Sequence, residues 1–309
     1  MPVQGPIHVD RPLTNISIAY KSEGLIADMV FPAVPVAKES DQYYVFDKAH
    51  ALRTPQTLRA NGAEANEDQL VLSTAAYTLE EHALKDIITN RDREKQDPGV
   101  NLEVSTVEDL TDKILRQKEV DAATLMFTNG NWANETSLGA AAAFSVNTTA
   151  TNPLLIFDSA ATTVLTSSGR KANTGILDYR TFQACKNHVS VVDRIKYTSA
   201  DSVTPLILKN LMEVDTLLIA EGAQTTAAEG LAATMALIWT DSAWLGYIER
   251  SPGLRKPSAA YCYKRSTIGV QVKRWRDEPR SGEWFQVGHL YDQVNPSTDA
   301  GYLIVDTVQ

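Results

Sequence analysis

The stretch LIADMVFPAVPVAKESDQYYVFDK, Leu25 to Lys48, restricts what this chain can fold into more than any other segment. It opens like a short amphipathic helix, meets Pro32 and Pro35 within four residues, and then turns into the aromatic strand Tyr43-Tyr44-Val45-Phe46. Proline locks φ and drives the residue before it toward extended backbone, so the helix must stop and the chain must stretch out. A segment of this kind reads as an arm that leaves one compact body and travels over a surface.

The residues beyond Lys48 extend the arm. Arg53 to Asp68 (RTPQTLRANGAEANED) is polar, holds Pro55 and Gly62, and has no apolar period, which predicts a long loop tip. LVLSTAAYTLEEHAL then resumes a strand-like pattern. Together Gln42–Leu84 reads as a two-stranded excursion. An isolated hairpin is marginal in water and needs a surface to lie on. Where its own protomer has no core beneath it, that surface belongs to a neighbour.

Helical periodicity is clearest after residue 104. Ser105-Thr106-Val107-Glu108 has the form of a capping box, and Val107, Leu110, Ile114, Leu125 and Met126 mark one stripe. Lys118 and Asp121–Ala122 bridge the middle of that stripe, while Lys113, Arg116 and Glu119 are expected on the solvated side. A helix of about twenty residues spans roughly 30 Å and forms a rod across a domain. Asn129–Asn152, small and polar around Trp132, is expected to be loop. Pro153 opens a helical run to Ser168, and Ile176-Leu177 gives a short strand. Asp178 caps a further helix with Phe182, Cys185, Val189 and Val192 on one face. Thr204-Pro205 starts another that ends near Met212. Strands are expected at Val214–Ala220 and Met235–Trp239, and repeatedly beyond Lys264.

Composition limits function by exclusion. The 309 residues are 43% hydrophobic and 22% charged, as in ordinary folded proteins, and no run reaches the roughly 18–20 apolar residues of a membrane helix. The N-terminus has no signal-peptide pattern, so the chain is expected to stay in the cytoplasm. A formal charge of -9 argues against a protein that wraps nucleic acid. Lys273-Arg274-Trp275-Arg276 is the densest basic cluster, but Asp277-Glu278 follow at once, which favours a solvated turn or subunit contact. Cys185 and Cys262 lie in no metal or redox spacing and read as reduced core residues. No nucleophile elbow, phosphate loop or dinucleotide fingerprint occurs, and the histidines are scattered singly. His188 is expected to be a satisfied or interfacial residue. Catalytic residues, cofactors and metal ligands are therefore expected to be absent.

The order of the pieces resembles the major capsid proteins of tailed bacteriophages, the Hong Kong ninety-seven-type capsid fold. Leu25–Val36 is similar to the family's entry into the arm, with the aromatic strand Tyr43–Phe46 behind it. Tyr77–Ile87 (YTLEEHALKDI) resembles the strand returning from the extended loop. Asn173–Leu177 and His188–Tyr197 resemble the passage into the axial domain. Ala236–Asp241 and Leu245–Ile248 resemble its closing strand and exit, and Gly301–Ile304 the terminal strand.

The resemblance implies an α+β fold with an N-terminal arm (1–41) and an extended β-hairpin loop (42–84). It also implies a peripheral domain with a long spine helix (85–173 and 249–309) and an axial domain (174–248). It implies a non-enzymatic coat protein that self-assembles as hexamers and pentamers into an icosahedral head around double-stranded DNA, held without sequence-specific binding. Expected partners are other copies of the chain, portal and scaffolding proteins, and decoration proteins where a head carries them, with no membrane. The expected location is the virion, after assembly in the host bacterial cytoplasm. Residues expected at inter-subunit contacts are Phe31, Pro32, Pro35, Tyr43, Tyr44, Phe46, Arg53, Arg59, Glu64, Arg274, Arg276 and Asp277. The region before the arm is too short for a built-in scaffolding domain, so any scaffold is expected to be a separate protein. Two other readings compete: an encapsulin-type nanocompartment, which shares the fold but encloses cargo enzymes, and an α/β enzyme, which would be a monomer or small oligomer.

Overall fold

The alternating and continuous apolar runs of the C-terminal half build two sheets, and the long helix joins them. The computed structural model describes residues 8–19, 24–45, 47–69, 71–95, 101–139, 143–146, 151–196, 203–228, 230–253, 256–265 and 270–308. Its helices are α1 (Arg11–Ala19), α2 (Ala27–Val30), α3 (Lys48–Ala51), α4 (Asn90–Glu94), α5 (Leu102–Phe127), α6 (Pro153–Ser168), α7 (Tyr179–Asn187), α8 (Val189–Ile195) and α9 (Pro205–Leu211). The first eight strands are β1 (His8–Val9), β2 (Ala33–Val36), β3 (Ser40–Val45), β4 (Ser73–Thr78), β5 (Glu80–Thr89), β6 (Asn134–Ser137), β7 (Thr174–Asp178) and β8 (Thr216–Ala220). The remainder are β9 (Ala223–Thr225), β10 (Met235–Leu237), β11 (Ser242–Gly246), β12 (Tyr261–Arg265), β13 (Val270–Asp277), β14 (Gly282–Val294) and β15 (Gly301–Val305).

The first sheet runs β1-β13-β14-β12-β2, with β5 also paired to β14. Its axis is the 13-residue β14, whose alternation puts Phe285, Val287 and Tyr291 on the buried face. The apolar stripe of α5 covers that face: Val107, Leu110 and Ile114 pack with Ile88, Val272, Phe285 and Val287. At 26 residues, α5 is about 39 Å long. It begins at Leu102, capped by the Asn101 side chain accepting from the Val104 N–H at 3.3 Å, one turn before the Ser105 box read from the sequence. Leu102 and Val104 pack against the same cluster, and that contact draws the helix back by a turn.

The second sheet runs β6-β15-β11-β7-β8. Strands β7 and β11 are buried at every residue, as central strands covered on both faces must be. One face, through Ile176, Trp244 and Leu303, packs on the end of α5 at Ala122, Ala123 and Met126. The other, through Leu177, Leu245 and Ile304, is covered by α6 and α7 and their neighbours, including Phe157, Val164, Phe182 and Cys185. Gly301 starts β15 where the Trp132 and Trp244 rings close in; a Cβ there would sit 2.5 Å from Trp132.

Several local expectations are corrected. The small-residue segment after Met126 contains β6, which pairs in parallel with β15, and Trp132 is buried with its indole N–H donating to the Met126 carbonyl at 2.8 Å. The helix expected from Asp178 breaks at His188, whose Nδ1 accepts from the Ser190 N–H at 3.2 Å and so caps α8. Val191 rather than Val192 is consequently the buried residue of that turn. The terminal strand β15 joins the second sheet beside β11, not the first sheet with β12 to β14, and α6 packs there too. Adjacency in sequence groups these strands as one unit, but their pairing is non-sequential. Glu80–Leu84, expected in the extended loop, belong to β5 and lie in register with β14.

Candidate assembly surface and its anchor

The arm is fastened to its own protomer before it projects. In β2, Pro35 is tolerated because the strand lies at the edge of the first sheet, paired in parallel with β12 from Ala33 opposite Cys262 to Val36 opposite Arg265. The Pro32 carbonyl accepts from the Cys262 N–H at 3.0 Å. Val30 and Phe31 are fully buried within the chain's own core. This revises the expectation for Phe31: its ring holds the arm to its own body and presents no surface to a neighbour.

Two consecutive charged residues of α5 make the fastening. The Glu119 carboxylate accepts from the Ile26 N–H at 3.0 Å, the Ala27 N–H at 2.7 Å and the Trp239 indole N–H at 2.6 Å. It is 0% exposed, which overturns its assignment to the solvated side. Burial pushes its pKa up, opposed by these hydrogen bonds. Lys118, also buried, pairs with Asp28 of α2, and Lys264 of β12 reaches the same carboxylate at 3.2 Å. Burial drives Asp28 up, but the two ammonium groups outweigh it and hold its pKa at about 2. His289 sits against this cluster, 8% exposed, and burial together with Lys118 and Lys264 holds its pKa down at about 4. The sequence signals for this cluster are faint: Lys118 interrupts an apolar stripe, and the small Ala122 and Ala123 lie three and four residues beyond Glu119 on its face.

Beyond the arm, β3 and β4 pair only with each other among the described residues, from Ser40 opposite Thr78 to Val45 opposite Ser73. The root of this ribbon rests on its own first sheet: Tyr77 stacks on Tyr263 at 4.6 Å, Tyr43 lies 5.5 Å from the same ring, and the Thr78 N–H donates to Asp292 at 3.0 Å. Arg265 also pairs with Glu39. The Asp47 side chain caps α3, and Lys48 reaches Asp299 at 2.6 Å. From Leu52 to Leu72 the described residues are exposed throughout, with Leu58 81% and Val71 52% accessible.

The remaining contact residues therefore occupy three separate places. Pro32 and Pro35 lie on the arm. Tyr43, Tyr44, Arg53, Arg59 and Glu64 lie on the ribbon and its loop, and Tyr44 at 58% exposure faces a groove lined by Tyr261, Tyr263, Pro252 and Pro257. Phe46 lies outside the described residues. Arg274, Arg276 and Asp277 end β13, where each has a partner in its own chain. Arg274 joins Glu283 and Glu103, which Arg93 also contacts. Arg276 bonds Glu278 at 2.6 Å, and Asp277 accepts from the Trp284 indole at 2.9 Å. The basic cluster, expected in a solvated turn or subunit contact, thus lies within strand β13, its charges balanced by carboxylates of its own chain. Both cysteines are buried and unpaired. Among the described residues no helix is long and apolar enough to cross a membrane.

No protein-family profile matches the chain. Two curated relatives align along almost its whole length. The major capsid protein of Pseudomonas phage JBD67 is 25% identical, covering 98% of each chain. The major capsid protein of Burkholderia phage BcepMu is 26% identical, covering 96% of this chain and 95% of the relative. Among solved structures, a phage-related protein from Bordetella bronchiseptica superposes with a TM-score of 0.77 at 22% identity, over 98% of this chain and 99% of the other. The capsid of cyanophage P-SCSP1u gives 0.59 at 11% identity, over 93% and 89%. The SrpI encapsulin of Synechococcus elongatus gives 0.52 at 11% identity, over 98% of each. The fold is thus common to phage heads and encapsulins, whereas the sequence relatives are phage coat proteins, which are structural and not enzymes. Along nearly its whole length this chain is similar in sequence to the major capsid proteins of phages, and it is built on the α+β Hong Kong ninety-seven-type capsid fold.

Proposed function

We propose that copies of this chain assemble as hexamers and pentamers into the icosahedral head of a tailed phage, enclosing double-stranded DNA. The observation that carries the reading is the ribbon with its loop, held at the root by the chain's own aromatic residues and exposed at the described residues from Leu52 to Leu72 with apolar side chains uncovered. Such a limb gains its remaining burial on another copy. A closed shell needs heterologous contacts repeated about its axes, and crossing limbs enlarge each contact beyond the about 1,600 Å² of a standard interface. In this reading residues 1–41 are the arm and the ribbon and its loop are the limb. The first sheet with α5 is the peripheral part, and the second sheet carries the axial part. Portal and scaffolding proteins, and decoration proteins where present, complete the head in the host cytoplasm. The net charge of -9 supports loose confinement of the genome over a DNA-binding inner wall.

Expression of the full chain followed by negative-stain microscopy and nuclease treatment tests this. Closed shells of uniform diameter, with nuclease-protected DNA in particles from infected cells, are the expected result. A stable monomer at high concentration refutes the assembly reading, and particles filled with a co-purifying enzyme transfer it to the nanocompartment class.

A further inference from the structure

We propose that Glu119 couples the projecting hairpin β9–β10 to the N-terminal arm, so that displacing the hairpin loosens the arm's attachment. The inference goes beyond the assembly reading and does not depend on it. Strands β9 and β10 pair only with each other among the described residues, from Ala223 opposite Leu237 to Thr225 opposite Met235. Leu231 between them and Met235 at the start of β10 are 72% and 65% exposed, so the far end is open to contact. At its near end the hairpin enters the core through Trp239, 1% exposed, whose ring meets Phe127 edge-on at 4.9 Å.

One carboxylate oxygen is shared between the two elements. Glu119 Oε1 accepts from the Trp239 indole at 2.6 Å and from the Ile26 N–H at 3.0 Å, while Oε2 accepts from the Ala27 N–H at 2.7 Å and from Ile26 at 3.1 Å. No rotation of the carboxylate can follow a shifted Trp239 without lengthening its bonds to the arm. The group is fully buried, so water cannot replace a lost donor, and a charged acceptor left short of partners is costly.

Two further contacts close the junction. Arg116, one turn before Glu119 and paired with Asp112 at 2.7 Å, donates to the Ala223 carbonyl at the start of β9. At the hairpin base a Cβ on Gly222 would meet the side chains of Leu25 and Ile238 at 3.3 Å, so arm and hairpin pack directly. Arm, hairpin and α5 thus meet at one point with no free play, the condition for a small displacement to pass between packed elements.

Hydrogen–deuterium exchange of the full chain tests the coupling, read on peptides spanning residues 24–32 and 223–239. Trp239→Phe keeps a ring against Phe127 and removes the indole donor together with part of the ring volume, and it touches no backbone group of α2. The expected result is exchange at least about tenfold faster in the 24–32 peptide, the low end of what one hydrogen bond to a charged group represents. An arm peptide unchanged from wild type, with acceleration confined to 223–239, overturns the proposal. Should Trp239→Phe not fold, Glu119→Gln provides the second test: both peptides must accelerate together, and acceleration of the arm alone overturns it.

Discussion

Replacing His289 with glutamine should remove a defined part of the chain's acid sensitivity. The ring is 8% exposed and lies near Lys118 of α5, Lys264 of β12, Asp28 of α2 and His82 of β5. Its Nε2 has no hydrogen-bond partner among the described residues. Burial, with the two lysines, holds its folded pKa at about 4 against 6.5 for an ordinary histidine. The folded state therefore resists the proton that the unfolded chain accepts. The neutral ring contributes stability that is complete above pH 6.5 and is lost as pH falls from there through 4. At about 1.4 kcal/mol per pH unit, the interval amounts to about 3 kcal/mol. Glu119, Asp178 and Asp292, all pushed up by burial, act in the opposite sense, but they are common to both proteins and cancel in the difference. Urea unfolding of the unassembled chain at pH 7 and pH 4 measures the effect. Wild type should lose about 3 kcal/mol more than His289→Gln between the two conditions. Equal losses would mean that the imidazole is hydrated in the folded state and that the cluster argument is wrong.

Three other outcomes rest on the same geometry. Asp28→Asn leaves Lys118 buried without its carboxylate and should cost about 2 kcal/mol, below the about 3–5 kcal/mol of a fully buried pair because the Asp28 side chain is largely open to solvent; equilibrium urea unfolding at neutral pH reads it. Trypsin should cut the unassembled chain first at Arg53 or Arg59, and the same bonds should become resistant in assembled particles, as gel electrophoresis of timed digests would show. Gly301→Ala drives a Cβ to 2.5 Å from the Trp132 ring and 2.6 Å from the Trp244 indole nitrogen, and should lower stability by about 2 kcal/mol or more in the same unfolding assay.

Much of the fold was legible because it depends on local chemistry. Pro153 after the Asn152 cap, Asp178 before α7 and Thr204-Pro205 before α9 each start a helix where the residue types require one. The proline pair of the arm produced an edge strand, and the polar run from Arg53 produced an exposed loop. The misreadings have a common origin in distant contacts. Leu102 and Val104 joined α5 because a sheet core lay beneath them, and β6 formed in a small-residue segment because β15 offered a parallel partner.

Sequence alone determined where helices start, where the chain must stretch and where a polar loop separates two strands, because caps, prolines and apolar periods act within a few residues. Tertiary structure decided which strands became neighbours and which charges were buried. It carried the last strand, β15, between β6 and β11 of the second sheet, and it turned Lys118 and Glu119, adjacent on one helix, onto the neighbouring residues Asp28 and Ala27 at the start of the same short arm helix. A helical period places a side chain on a face, but whether that face meets water or the backbone of a segment about ninety residues away is settled only when the chain closes on itself.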